Sequence, residues 1–315
     1  MADRKLVKLA DLPAEKVPAA FRAESYFDFD AHPFAHSALF DQTRNLIDVL
    51  ASIERYAVGW LKRIIDARLT DTDSDRHIHR DVLPSGIAYG RFEAVVERGA
   101  VFDPATVIGH TQDRNRIYVA AGASVVGVNL WPASGDIYIG PGTVVEPGAG
   151  IKGPTIIGCN NEIRQGTYFR GSVIVGDDGV FRGEIKNTVM MNGANFPHPG
   201  YVGDSLCGYN THFGNQAGTA NLGLFYALGR KINVTIELDG VVYDLGRPKI
   251  GVILGDFTQV GCNTVTAPGG FLGPHSVVYA LTSLPKGVNP SDMLIKYKPT
   301  LECVPFDRTF KSQQT

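Results

Sequence analysis

Residues 139–181 read IGPGTVVEPGAGIKGPTIIGCNNEIRQGTYFRGSVIVGDDGVF, and an apolar residue returns at every sixth position: Ile139, Val145, Ile151, Ile157, Ile163, Phe169, Val175 and Phe181. A period of six matches neither the 3.6 of a helix nor the two of a plain strand. It suits a chain that turns a corner after each short strand and sends one aliphatic side chain inward per side, with three sides to a coil. The stretch therefore predicts a mainly β protein, a left-handed parallel β-helix of hexapeptide repeats. One coil cannot bury its inward face alone, so coils must stack, with backbone hydrogen bonds running between neighbouring coils.

Outward from this stretch the same signature recurs. Glycine follows the apolar residue at Ile139-Gly140, Ile157-Gly158 and Val175-Gly176; the pattern reappears at Tyr201, Cys207-Gly208 and Phe213-Gly214, then at Leu254-Gly255, Val260-Gly261 and Leu272-Gly273. Between Leu222 and Ile250 it breaks. There Ile232, Val234, Ile236 and Leu238 alternate with polar residues before an Asp239-Gly240 turn and a second strand, Val241 to Asp244, which predicts a β-hairpin carrying Arg230, Lys231, Arg247 and Lys249 to the prism wall. Ahead of the repeats, apolar residues at Leu46, Leu50, Ile53, Ala57, Trp60 and Ile64 predict one long amphipathic helix from Leu39 onward. Its stripe must be covered by the same chain, for instance as a cap on an open end of the prism, or by a neighbouring subunit. The division is a helical segment over 1–100, a β-helix over 101–285 with a hairpin insertion at 222–250, and a C-terminal tail over 286–315.

Composition excludes several functions. The 315 residues carry a formal charge of −2, with no stretch that concentrates Lys and Arg, so nucleic acid is not an expected partner. No run reaches the ~18 apolar residues of a membrane span, and the N-terminus lacks the apolar core of a signal peptide. The chain reads as soluble and cytoplasmic. Cys159, Cys207, Cys262 and Cys303 lie far apart without C-x-x-C spacing and read as plain thiols. His77 and His79 share a face of a strand, but two ligands without a third do not make a metal site.

Where the repeat pauses, the chain reads EIKNTVMMNGANFPHPGYVGDSLCGYNTHFGNQAGTANLG over 184–223. This stretch resembles the acetyltransferase half of the bifunctional sugar-1-phosphate nucleotidylyltransferase/acetyltransferases. The resemblance rests on E-x-K at Glu184 to Lys186, H-x-x-Y-x-G-D at His198 to Asp204, and Asn221, and it covers roughly residues 135–285. It implies an acyl-CoA-dependent N-acetyltransferase acting on an amino-sugar phosphate or nucleotide sugar, with acetyl-CoA as co-substrate, at clefts between subunits of a homotrimer. His198 is then the general base, Lys186, Tyr201 and Asn221 contact the sugar substrate, Arg164 lies near its phosphate, and Cys262 and Ala280 lie on the acyl-CoA side. A buried thiol is the plain reading of Cys262.

The chemistry suits these residue types, because an amine must lose a proton to attack a thioester and histidine, with an ordinary pKa of ~6.5, accepts one near neutrality. His212 and Leu222 stand where bacterial members of the family are expected to carry Asn and Tyr, whereas G-T-A-N-L resembles the archaeal-type branch, which leaves the sugar open. Nothing before residue 100 resembles the glycine-rich G-x-G-T-R loop of the nucleotidylyltransferase half, so nucleotidyl transfer is not expected. Two other functions stay open: a zinc-dependent hydratase like the β-helix carbonic anhydrases, with His110, His198, His212 and His275 converging across a trimer, and a catalytically inactive sugar-nucleotide-binding protein.

Overall fold

The computed structural model describes residues 5–71, 75–229 and 232–298; Arg230, Lys231 and Cys303 lie outside them. The repeats form a three-faced parallel β-solenoid in which each strand hydrogen-bonds to the strands one coil before and after it. The first face is an eleven-stranded sheet from Arg76–Arg80 to Gly287–Asn289, antiparallel only at its first pair, and the second face has ten strands, from Val101–Asp103 to Leu294–Ile295. The third face runs through seven strands from Ile87–Tyr89 to Tyr201–Gly203 and resumes as Gly218–Thr219, Val265–Thr266 and Ser283–Leu284.

All eight residues of the six-residue period are buried inside this prism, stacked in columns with their counterparts in adjacent coils. Ile137, Thr155 and Val173 are successive register partners eighteen residues apart, three sides of six each. Coil strands extend beyond 101–285 on both sides, from Ile87 to Ile295. The early coils are longer, Ile117 pairing with Ile137, and the period of six fails there although the stacking does not. Past Phe181 the coil shortens, and Phe181 pairs with Phe196 fifteen residues on. This shift of phase turns Val202 inward and Tyr201 outward, so Tyr201 is not one of the inward repeat residues the sequence pattern suggests.

The long helix spans Leu46–Thr70 and does not continue from Leu39: a separate turn covers Ala38–Asp41, and Asn45 starts the helix by accepting hydrogen bonds from the Ile47 and Asp48 amides. It lies lengthwise on the outside of the first face rather than over an open end. Its Leu50, Ile53, Ala57, Leu61 and Ile65 join the outward Ile156, Ile174 and Val189 in a second core. First-face strands are apolar on both sides for this reason, as in any sheet covered on both faces. The insertion folds as expected, with Thr235–Leu238 antiparallel to Val241–Asp244 across a turn at Asp239 and Gly240, both at positive φ. Leu6–Lys8 adds a third, parallel strand to it, and a Leu222–Lys249 bridge closes its base. No helix among the described residues is long and apolar enough to cross a membrane.

Candidate active site

With the first face covered by the helix, the second and third faces and their shared edge stay open. That edge is a line of corners between successive second- and third-face strands. In order along the prism it carries Arg164, Arg182, then Pro197 and His198, then Gly214 to Ala217, Cys262 and Ala280. Arg164 donates to the Pro197 carbonyl at 3.5 Å and is held by Glu162 at 2.7 Å. Its guanidinium is thereby brought beside the turn that bears His198.

His198 is partly exposed on the 197–200 turn, and its electrostatic neighbour is His212, on the next coil of the second face. Burial first, and then the His198 ring, push His212 below the ordinary histidine range, so His212 is neutral at pH 7. Cys262 is exposed, correcting the plain expectation of a buried thiol, because it occupies a corner with only Gly214 beneath it; a methyl group on Gly214 would meet the Cys262 sulfur at 3.0 Å. Ala280 stacks in the same way above Gly261. Cys262 is two rungs and Ala280 three rungs from the His198 corner, roughly 10 and 14 Å at the spacing of adjacent strands.

The third face holds the other residues. Glu184 pairs in register with Tyr201, and Lys186 with Gly203. The Tyr201 ring lies flat along its own strand over Gly203, where a side-chain carbon would stand 2.1 Å from the tyrosine oxygen. This brings Tyr201 Oη to Asn221, whose Nδ2 donates to it at 3.0 Å and to Asp204 Oδ2 at 2.6 Å. Burial, and then the Asp204 charge, raise the Tyr201 pKa, so the hydroxyl keeps its proton. Its oxygen already accepts from Asn221, and its O–H has no acceptor among the hydrogen bonds of the described residues.

Asp204 is the centre that the motif included without a role. Buried and at φ +50°, it accepts from Asn221, from Asn187 Nδ2 at 2.8 Å and from Arg247 Nη2 at 3.4 Å. Arg247 comes from the insertion, so the hairpin is tied to the site through this carboxylate. The structure thus joins Tyr201 directly to Asn221, sets Lys186 on the adjoining strand, and groups Arg164 with the His198 turn. No hydrogen bond or ion pair links His198 to Lys186, Tyr201 or Asn221 among the described residues. Nor does any group of three or more His, Cys, Asp or Glu side chains among them stand close enough to hold a metal ion.

The chain is similar to curated proteins that bear one name or a variant of it. A bifunctional sugar-1-phosphate nucleotidylyltransferase/acetyltransferase of Sulfurisphaera tokodaii is 28% identical over 176 residues, 50% of this chain and 43% of the relative. The bifunctional protein GlmU of Methanococcus vannielii is 30% identical over 134 residues, 42% of this chain and 30% of the relative, and that of Listeria monocytogenes is 28% identical over 177 residues, 50% and 37%. These relatives match about half of this chain. The chain in turn spans less than half the length of each. No protein-family model matches.

Proposed function

We propose that the protein is an acyl-CoA-dependent N-acetyltransferase whose acceptor is an amino sugar bearing a phosphate or a nucleotide, with acetyl-CoA as donor and with sites at the open edge between subunits of a homotrimer. The observation that carries this is the Tyr201–Asn221–Asp204 network set beside Lys186, one turn away from His198. Similarity to proteins named nucleotidylyltransferase/acetyltransferase supports the reaction class.

His198 acts as general base. The acceptor amine attacks the thioester carbonyl carbon, a C–N bond forms, the imidazole takes the amine proton, and the C–S bond breaks to release CoA, which is protonated to the thiol. The oxyanion of the tetrahedral intermediate needs a donor, and the Tyr201 O–H, left free by the bond from Asn221, is suited to that. Lys186 meets the sugar phosphate as a point charge, with Arg164 as a second cation at the edge. Cys262 and Ala280, further along the edge, contact the acyl donor. Positioning of amine against thioester supplies much of the remaining rate.

The test is release of CoA thiol from acetyl-CoA with glucosamine-1-phosphate, galactosamine-1-phosphate or a nucleotide-linked glucosamine. Turnover is expected with at least one, and His198→Ala is expected to lower kcat by about 10²–10⁴-fold. Absence of thiol release with every acceptor, or unchanged turnover in His198→Ala, overturns the proposal.

A further inference from the structure

On the open third face, below Lys186, the register aligns an outward column of Trp131, Lys152, Arg170 and Lys186 on four successive coils. Lys152 pairs with Trp131 directly, Arg170 stands one residue beyond the paired Ile151 and Phe169, and Lys186 one beyond the paired Phe169 and Ile185. At about 4.8 Å per rung the column spans roughly 14 Å from Lys186 to Trp131. Like charges directly opposite one another on adjacent strands repel. Here three cations are stacked, and one alone is neutralised, Arg170 by Glu184. The ammonium groups of Lys152 and Lys186 have no hydrogen-bond or ion-pair partner among the described residues. The protein itself leaves the repulsion unanswered, as expected for a surface that receives a polyanion.

Beyond the cations the column ends in the Trp131 ring, and Tyr168, on the Arg170 coil, flanks it. Trp131 leans over Gly150, where an added carbon would lie 3.2 Å from the indole and 3.4 Å from the Tyr168 ring, and the two rings meet edge to face at 6.2 Å between centroids. Tyr168 is exposed. Glycine here lets the two rings meet beside the cationic column, Trp131 at its far end and Tyr168 at its flank, and aromatic side chains of this kind stack nucleobases.

We propose that this strip binds a nucleoside diphosphate, with the base on Trp131 and Tyr168 and the diphosphate along Lys152, Arg170 and Lys186, so that the acetyl acceptor is a nucleotide-linked amino sugar; the acceptor assignment rests on the acyl transfer proposed above. A sugar 1-phosphate would engage Lys186 and leave Lys152, Trp131 and Tyr168 unused. CoA also carries a nucleoside diphosphate, but Cys262 and Ala280 lie on coils to the opposite side of His198, so donor and acceptor approach from opposite ends.

The experiment titrates UDP, ADP, uridine, inorganic pyrophosphate and CoA separately into the full chain without acyl donor, by calorimetry and by Trp131 fluorescence in a Trp60→Phe background, since the chain has two tryptophans. UDP or ADP is expected to bind at least roughly tenfold more tightly than uridine or pyrophosphate. Trp131→Ala should weaken the nucleotide about tenfold and leave pyrophosphate within about twofold, whereas Lys152→Glu should weaken both about tenfold and Lys152→Arg should restore them. Nucleotides binding no better than pyrophosphate, or indifferent to both substitutions, overturn the strip. In turnover, Lys152→Glu should raise KM for a nucleotide-linked glucosamine and leave that for acetyl-CoA unchanged; a rise for acetyl-CoA instead overturns the acceptor assignment. Nucleotide binding without thiol release sinks acyl transfer and leaves the strip standing, and acetylation of sugar phosphates without nucleotide binding does the reverse.

Discussion

Tyr201 depends on what is missing beneath it. Gly203 is flat enough for the ring to lie across it, and a methyl group there would stand 2.1 Å from the hydroxyl oxygen. Gly203→Ala is therefore expected to displace the ring, break the bond to Asn221 and lower kcat/KM for the acceptor by roughly 10–100-fold, the size of one lost hydrogen bond to a partly buried group. Steady-state kinetics checks this, with KM for acetyl-CoA as the parameter expected to stay put.

A second residue-scale prediction concerns pH. His36 is buried against Trp60 and Tyr56, and burial, assisted by the Arg63 charge, lowers its pKa from 6.5 to about 4. Between those values the unfolded chain binds a proton that the folded chain refuses, so stability falls as pH drops from about 6.5 toward 4. The loss approaches roughly 3 kcal/mol at full titration. Thermal melts at pH 7 and pH 4.5 should show this decline, and His36→Gln should reduce the slope.

At the scale of elements, the long helix matters through one face and one cap. Asn45 satisfies two of the amides left open at the helix start, and Asn45→Ala should cost about 1 kcal/mol. Ile53 is fully buried on the first face, and Ile53→Ala should cost about 2–5 kcal/mol, depending on how far the cavity collapses. Denaturant titration separates the two: the deeper loss belongs to Ile53. The place of this helix was partly legible. Its period was plain, but the surface that receives it was signalled by consecutive apolar residues in the first-face strands, Ile156-Ile157 and Val173-Ile174-Val175, where a face open to water would alternate.

At the scale of the whole molecule, one face of the prism is closed by its own helix, and the other two faces and their edge are left open. If the sites lie between subunits as proposed, light scattering during gel filtration should give a mass about three times the 34.0 kDa of the chain, and Arg164→Glu or Cys262→Arg on the shared edge should lower it. A monomer with full turnover would remove the intersubunit site.

The six-residue period was enough by itself for the stacked coil, since a chain that turns a corner after each short strand returns an aliphatic side chain inward every sixth residue. The hairpin was legible by a different signal, since alternation and the Asp239-Gly240 turn act locally. What only the tertiary structure decided are relations between coils. The fifteen-residue coil from Phe181 to Phe196 turned Tyr201 outward, Asp204 gathered Asn187, Asn221 and Arg247 from separate segments, and the register stacked Lys152, Arg170 and Lys186. Such contacts depend on how many residues each turn consumes. That number is set by packing along the whole prism, and a local pattern carries no record of it.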